Sequence, residues 1–216
     1  MSYIFNKMQK DFLKDYHLVL ASKSPRRQQL LEGMDVNFTL ITKDVDESFP
    51  DTMPLEAVAP FLSEKKAKAF DENELPDNFL LITADTVVII GDTILNKPAN
   101  SEEACAMLSL LSGQTHKVVT GVCLRSKEQI CVFSESSDVK FGELEADEIQ
   151  SYVAKYQPFD KAGAYGIQEW IGYIAIESVK GSFYNVMGLP THRLYLELKK
   201  FVSNDKNLSA YPSQQK

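Results

Sequence analysis

The sequence predicts an α/β fold with a mixed sheet. In the first half of the chain, apolar stretches with helical spacing alternate with short strand-like stretches, and in the second half strand-like stretches cluster. Alternating helices and strands are typical of a sheet covered by helices, rather than of a sandwich or a helical bundle. No internal repeat or clear linker interrupts the 216 residues. We therefore expect one domain with two lobes around a cleft.

The expected elements are bounded by turn and cap residues. Ser24 and Pro25 open a helix that Gly33 ends as its C′ residue, and Asn100 with Glu103 resembles a capping box. Pro60 is expected to kink or split the helix that contains it. Helices are predicted over 4–15, 25–33, 54–72, 102–111 and 145–156 and from residue 190 onward. Strands are predicted over 17–22, 36–42, 79–90, 93–95, 117–125, 129–141, 172–179 and 182–187.

These elements divide the chain into three parts. Residues 1–16 form a helical N-terminal extension, residues 17–203 form the folded domain, and residues 204–216 form a polar tail that we expect to be flexible.

The charge balance argues against general binding to nucleic acids. Lys and Arg number 23 and Asp and Glu number 30, so the net charge is −7. Neutralising a phosphate backbone needs a clustered basic surface. A local basic pocket for one small polyphosphate remains compatible with this composition.

Cysteine usage and the N-terminus indicate a cytoplasmic protein. The three cysteines show no metal-ligand spacing, and their odd number favours reduced thiols. Residues 1–16 carry charges throughout and lack the apolar core of a signal peptide. The apolar stretch 79–90 is too short and too polar to span a bilayer. The three histidines have no metal-ligand or triad-like neighbours in sequence and are interpreted as structural.

The segment 22–27, Ser-Lys-Ser-Pro-Arg-Arg, is the strongest local signal for anion binding. It lies between a predicted strand and a predicted helix, and backbone N–H groups at a helix N-terminus attract anions. Arg26 adds a planar set of donors that can hold phosphate oxygens in pairs. An ordinary capped helix with solvated arginines would contain the same residues.

Carboxylates occur at two positions that suit a metal or a general base. Asp85, followed by Thr86, interrupts the apolar strand 79–90, where a carboxylate has to be paired, bound to metal or exposed in a cleft. Asp44, Asp46 and Glu47 form an acidic loop, and carboxylates beside a phosphate suit Mg²⁺. A strand-end turn residue and a solvated loop are the alternative interpretations.

Two lysines and a glycine-rich segment could complete a nucleotide pocket. Lys97 follows the predicted strand 93–95, and Lys65 lies on a helix with Lys68 on the same face. The segment 161–168 contains two glycines, which allow close backbone approach, and Gln168, which offers both a donor and an acceptor. Solvated lysines and an ordinary loop would look the same.

Taken together, these segments resemble the Maf family of nucleotide pyrophosphatases. The similar segments are 20–31, 45–48, 64–70, 82–88, 95–98, 102–122, 159–168 and 188–190. They follow one another in the order typical of the family and cover about residues 17–200. The resemblance implies the fold of inosine triphosphate pyrophosphatases, with a curved mixed sheet, flanking helices, a deep cleft between two lobes and commonly a homodimeric assembly.

The resemblance also implies roles for individual residues. Asp85 would be the proton acceptor; Arg26, Thr86 and Gln168 would decide substrate specificity. Ser22, Arg26, Lys65 and Lys97 would bind phosphate, and Glu47 with Asp85 would hold a divalent cation, Mg²⁺ or Mn²⁺. The substrate would be a nucleoside triphosphate, cut to its monophosphate and pyrophosphate, with no nucleic-acid or membrane partner.

The segments around Gln168 favour the branch of the family that acts on dTTP and UTP. The segment 163–170, Gly-Ala-Tyr-Gly-Ile-Gln-Glu-Trp, contains Tyr165, which could narrow the loop against a purine. Three alternatives stay open: an enzyme of the 7-methyl-GTP branch, a regulator of cell division without catalytic activity, and a nucleic-acid-binding protein that uses Arg26 and Arg27.

Overall fold

A seven-stranded mixed sheet forms the centre of the protein. The computed structural model describes residues 11–210, with side chains for residues 12–205. The strands are β1 (His17–Ala21), β2 (Thr39–Ile41), β3 (Phe79–Ile90), β4 (Thr93–Leu95), β5 (Thr115–Arg125), β6 (Ile130–Phe141) and β7 (Ile176–Lys180). Their order in the sheet is β2-β1-β3-β5-β6-β7, with β4 paired to β3. β1 pairs in parallel with β2 and β3, and all other pairs are antiparallel.

Helices flank this sheet. They are α1 (Pro25–Gly33), α2 (Leu55–Lys68), α3 (Ser101–Leu111), α4 (Ala146–Tyr156), α5 (Trp170–Ile174), α6 (Phe183–Met187) and α7 (Thr191–Ala210). Short 3₁₀ turns lie at Asp11–Leu13, Glu72–Glu74 and Ala162–Ala164. No helix in the described part of the chain is long and apolar enough to cross a membrane.

The pairing of β3 leaves a gap in the sheet. One edge of β3 pairs with β5 from Leu81 to Ile89. The opposite edge pairs with β1 as far as Ile82 and with β4 only from Val88 onward. Residues 83–87 therefore have no strand partner on that edge, and this gap opens the cleft in which Asp85 lies.

Pro60 lies inside α2 and does not split it, in contrast to one of the two expected outcomes. The proline stands against β5 at Gly121, where an added Cβ would lie 2.2 Å from the Pro60 nitrogen and 2.4 Å from the Ala59 carbonyl oxygen. Proline carries no N–H, and glycine carries no side chain, so the two backbones can approach closely. This close approach is one of the contacts that hold α2 over the sheet.

The segment 182–187 was predicted to be a strand, and this prediction is wrong. It forms α6, because Ser182 accepts the Asn185 N–H as an N-cap and Gly188 ends the helix with a positive φ of 114°. The Asn185 amide donates to the Val118 carbonyl on β5 and to Ser137 on β6. These tertiary hydrogen bonds outweigh the weak alternation of apolar residues.

Other boundaries differ from the sequence predictions in smaller ways. The predicted strand 172–179 begins as helix α5, and β2 covers only three residues of 36–42. Gly33 is the last residue of α1, and the left-handed residue beyond it is Asp35. Asn100 caps α3, whereas the Glu103 carboxylate accepts from Ala99 rather than from Asn100.

The two ends of the domain also differ in part from expectation. Most of the predicted leading helix lies outside the described residues, and its end, Asp11–Leu13, is a 3₁₀ turn. α7 is helical to Ala210, so it includes the first part of the predicted tail. The three cysteines are free thiols, as predicted.

Candidate active site

A cavity of about 560 Å³ opens over the gap in β3. It is lined by the end of β1, the start of α1, the loop before α2, the middle of β3 and the segment 160–168. Seven of the eight residues that the sequence predicted for the site line it, namely Ser22, Arg26, Glu47, Asp85, Thr86, Lys97 and Gln168. The fold therefore brings together residues that are as many as 146 positions apart in the sequence.

Lys66 joins two carboxylates at the base of the cavity. Its ammonium group lies 2.5 Å from Asp85 Oδ1 and 2.7 Å from Glu47 Oε1. Burial tends to raise the pKa of Glu47, but the hydrogen bond and charge of Lys66 outweigh this effect and lower it. Asp85 is 8% exposed and Lys66 is largely buried, so the pair is held away from bulk solvent.

Lys65 is not among the residues that line the cavity, and its assignment as a phosphate-binding residue stays a prediction. Its ammonium group bonds Asp46 and Ser48 in the acidic loop instead. The helix geometry explains the difference. At about 100° per residue, Lys66 falls in the middle of the buried arc of α2 and Lys65 at its margin. The buried arc comprises Val58, Ala59, Leu62, Ser63 and Ala67. Apolar spacing marks the face of α2 that packs on the sheet, but it does not show where that face borders a cavity, so Lys65 was grouped with Lys68.

The N-terminus of α1 faces the cavity. Pro25 begins the helix, and Ser24 precedes it without a side-chain cap. The Ser24 N–H donates to Ser22 Oγ at 3.1 Å, which holds the turn between β1 and α1. Because the first N–H groups of a helix have no partner within it, this end can receive phosphate oxygens.

The two arginines of α1 occupy different depths. Arg26 pairs with Asp160 at 2.7 Å. Arg27 donates to the Gly188 carbonyl at 2.8 Å and to Thr86 Oγ1 at 3.0 Å. Burial lowers the pKa of Arg27, while the nearby charge of Asp85 opposes this effect. Both arginines line the cavity, and Arg27 fixes Thr86, which the sequence analysis did not anticipate.

Lys97 stands at a more open position. Its side chain is 58% exposed, and its ammonium group lies 4.0 Å from Glu47 Oε2. At this distance it is free to turn toward a polyphosphate in the cavity.

The segment 160–169 borders the cavity beside α1 and is held by polar contacts in which Lys161 and Glu169 are largely buried. Lys161, which the sequence analysis did not single out, pairs with Asp160 at 2.7 Å and with Glu169 at 3.1 Å. Glu169 in turn accepts from the Tyr152 hydroxyl at 2.5 Å. Gly163 has a positive φ of 69° and packs against Val88, where a side chain would crowd β3.

Gln168 lines the cavity, and its side chain carries an acceptor that the described residues leave unused. Its Oε1 is buried and has no hydrogen-bond partner among the described residues. An unpaired buried acceptor is costly, so a ligand that donates there would gain a hydrogen bond at little desolvation cost.

Tyr165 also lines the cavity, but its hydroxyl turns to the core. It lies 2.7 Å from His116 Nε2, and its ring packs edge-on against His116 and Phe141. Burial raises the pKa of Tyr165 above its ordinary value and lowers that of His116 to about 4, so both groups are neutral near pH 7. The aromatic face of Tyr165, rather than its hydroxyl, is available to the cavity.

Comparison with known proteins agrees with this arrangement of residues. The family profile described as "Maf-like protein" matches residues 17–201. The chain belongs to the Maf family. The resemblance seen in the sequence is thereby confirmed, and so is the mixed α/β fold expected from it.

Three relatives illustrate how far the similarity to the Maf family extends. A dTTP/UTP pyrophosphatase of Porphyromonas gingivalis is 54% identical over 193 residues, which are 88% of this chain and 97% of that protein. One of Parabacteroides distasonis is 51% identical and covers 88% of this chain and 98% of its own. One of Flavobacterium johnsoniae is 43% identical and covers 90% and 100%. The similarity spans nearly all of each relative.

The carboxylates of this Maf protein fit a divalent cation only together with a phosphate. In the described part of the chain, no group of three or more metal-ligating side chains comes together. Glu47 and Asp85 nevertheless surround one cation, the Lys66 ammonium group. Two carboxylates supplemented by phosphate oxygens and water are a usual donor set for Mg²⁺.

Proposed function

We propose that this protein hydrolyses dTTP and UTP to the nucleoside monophosphate and pyrophosphate. The observation that carries the proposal is the cavity in which Asp85, Glu47 and Lys66 face the N-terminus of α1. A triphosphate needs an anion-binding helix end, cationic side chains and carboxylates within one cavity. The relatives named as dTTP/UTP pyrophosphatases support the same reaction.

Asp85 is suited to orient and deprotonate the attacking water. It is nearly buried at the base of the cavity, and its described ionic partner is Lys66. A carboxylate at such a position takes the proton as water attacks phosphorus in line with the leaving group.

Cationic side chains around Asp85 would stabilise the charge that gathers on the leaving pyrophosphate. Lys66 and Lys97 lie on the side of Glu47, and Arg26 lies at the N-terminus of α1. Preorganised donors of this kind act in the transition state without a reorganisation cost. Arg27 has a different role, because it donates a hydrogen bond to Thr86 and holds that residue in place.

A divalent cation, Mg²⁺ or Mn²⁺, completes the proposal as cofactor. Glu47 and Asp85 would hold it together with phosphate oxygens, and when bound it would draw charge from the reacting phosphorus. Dialysis against a chelator should abolish pyrophosphate release, and adding Mg²⁺ or Mn²⁺ back should restore it.

The base preference follows from Gln168. Its free Oε1 can accept the N3–H that thymine and uracil share, and its amide N–H₂ can donate to their O4. Cytosine presents an acceptor at N3 and a donor at C4, so it would face Gln168 with the opposite pattern. A site that hydrogen-bonds one edge rejects a mismatched edge strongly, because buried groups are left unpaired.

A competition assay tests this function. dTTP, UTP, CTP and 7-methyl-GTP are supplied at equal concentration, and pyrophosphate and each monophosphate are measured. We expect dTTP and UTP to be consumed first, CTP clearly more slowly and 7-methyl-GTP most slowly. Preference for 7-methyl-GTP would assign the protein to the other branch. No pyrophosphate from any nucleotide would favour a regulator of cell division without catalytic activity, and salt-dependent DNA binding would favour the nucleic-acid alternative.

Cytoplasmic location and a homodimer belong to the same proposal. The three free cysteines suit a reducing compartment. Fractionation of cells and light scattering of the purified protein test the two statements separately.

A further inference from the structure

The loop that carries Glu47 depends on side chains for its conformation. It follows β2 and precedes α2, and residues 43–48 adopt no helix or strand. Within the described chain, these six residues make no backbone–backbone hydrogen bond. A loop without such bonds samples many conformations unless other contacts hold it. The direction of the Glu47 carboxylate therefore has to be set by side chains.

Lys65 contacts the residues on both sides of Glu47. Its ammonium group donates to Asp46 Oδ2 at 2.8 Å, to the Ser48 carbonyl at 2.9 Å and to Ser48 Oγ at 3.2 Å. Asp46 also accepts from the Ser48 N–H at 3.0 Å and from the Ser48 hydroxyl. Lys65, Asp46 and Ser48 thus form a closed set of hydrogen bonds around the residue between them.

The next residue of α2 completes the arrangement. Lys66 bonds the Glu47 carboxylate itself at 2.7 Å. Consecutive helical side chains diverge by about 100°, so Lys65 and Lys66 can reach the loop along different directions. One lysine holds the chain on either side of Glu47, and the other meets its carboxylate.

We propose that Lys65 is a positioning residue that directs the Glu47 carboxylate into the cavity through Asp46 and Ser48. The inference rests on the proposed function in one respect, namely that Glu47 serves the triphosphate and its cation. It replaces the role of direct phosphate contact that the sequence suggested for Lys65. Partners that orient a ligating carboxylate typically change metal affinity or activity by about 10–100-fold when they are removed.

Lys65→Met tests this role, because methionine keeps much of the aliphatic stem and loses the charge. We expect the Mg²⁺ concentration for half-maximal pyrophosphate release to rise about 10–100-fold. Lys65→Arg should restore most of the wild-type value, because a guanidinium can reach the same oxygens. Lys68→Met is the matched control: Lys68 pairs with Glu64, is 59% exposed and does not line the cavity, so this variant should behave as wild type.

Two further measurements separate positioning from direct phosphate contact. In a Glu47→Gln background, Lys65→Met should raise the Mg²⁺ concentration for half-maximal pyrophosphate release by less than about twofold, because the effects of coupled residues are not additive. Asp46→Asn alone should reproduce the rise in Mg²⁺ requirement. An equal loss from Lys65→Met in both backgrounds, with Asp46→Asn unaffected, would overturn the proposal and return Lys65 to the phosphate.

Hydrogen exchange tests the hydrogen bonds among Lys65, Asp46 and Ser48 without relying on catalysis. The Ser48 N–H is bonded to Asp46, so its exchange should speed up in Lys65→Met and stay unchanged in Lys68→Met. Unchanged exchange in Lys65→Met would refute the inference. A wild-type protein that releases no pyrophosphate would refute the proposed function alone, since the exchange result stands by itself.

Discussion

Asp85→Asn is the sharpest test of the catalytic assignment, because the structure predicts a large change in rate with a small change in stability. The described ionic partner of Asp85 is Lys66, at 2.5 Å from Oδ1. An asparagine keeps the shape and an oxygen that accepts from Lys66, and Lys66 retains Glu47 at 2.7 Å. The amide cannot take a proton and carries no charge for a cation.

The expected change in rate is much larger than the expected change in stability. Loss of a general base lowers the rate by about 10²–10⁴-fold, which corresponds to a barrier higher by about 3–5 kcal/mol. Replacing the hydrogen bond from the Lys66 ammonium group to a carboxylate by one to an amide oxygen costs at most about 2 kcal/mol of stability. The protein should therefore remain folded while its activity nearly disappears.

Initial rates of pyrophosphate release from dTTP, measured beside thermal unfolding, check both parts. Asp92→Asn is the matched control, because Asp92 lies exposed in the turn between β3 and β4 and does not line the cavity. It should keep the wild-type rate and Tm. Wild-type turnover in Asp85→Asn would refute the assignment of the base, and an unfolded variant would refute the argument about Lys66.

Three further predictions test packing and charge. Gly121→Ala should lower the free energy of unfolding by about 3 kcal/mol or more and Tm by about 6–12 °C. Gly33→Ala, with open space around it, should change neither. Equal Tm values for the two variants in thermal unfolding would contradict the close contact of α2 with β5. Arg26→Ala should lower kcat/KM at an unchanged Tm. Arg27→Ala should lower both, since it removes the hydrogen bonds to the Gly188 carbonyl and to Thr86 Oγ1 and leaves Thr86 only its bond to Thr120. Calorimetry that shows the same Tm for both variants would argue against the structural role of Arg27. Burial lowers the pKa of His116 from 6.5 to about 4, so the unfolded state takes up a proton before the folded state does. About 3 kcal/mol of the free energy of unfolding should therefore be lost as the pH falls from 6.5 to about 4. In His116→Gln, urea unfolding at a series of pH values should show a smaller loss.

Much of the candidate site could be predicted because its residues lie in short local motifs. The turn from β1 into α1 is encoded by Ser22, Ser24 and Pro25, and the structure places that helix end at the cavity. Asp85 stood out because a carboxylate inside an apolar strand needs a partner, which proved to be Lys66. Signals of this kind involve residues that are close together in the sequence, so they can be recognised without the structure.

The choice between neighbouring lysines could not be made in the same way. Lys65 and Lys66 have the same chemistry, and only the rotation of α2 over the sheet decides which one enters the cavity. That rotation depends on contacts such as the close approach of Pro60 to Gly121 on β5, which lies 61 positions away. Likewise, α6 was mistaken for a strand because the hydrogen bonds of Asn185 to β5 and β6 are invisible in the local pattern.

By itself, the sequence determined the fold class, the family and the set of groups that a triphosphate requires, because motif order and hydrophobic periodicity are properties of the chain. Only the tertiary structure decided which of these groups meet. Lys66 joins Glu47 to Asp85, Arg27 supports Thr86, and Lys65 holds the acidic loop from outside the cavity. The physical reason is that each contact crosses between elements far apart in sequence, so its geometry follows from how helices pack on the sheet rather than from any local preference.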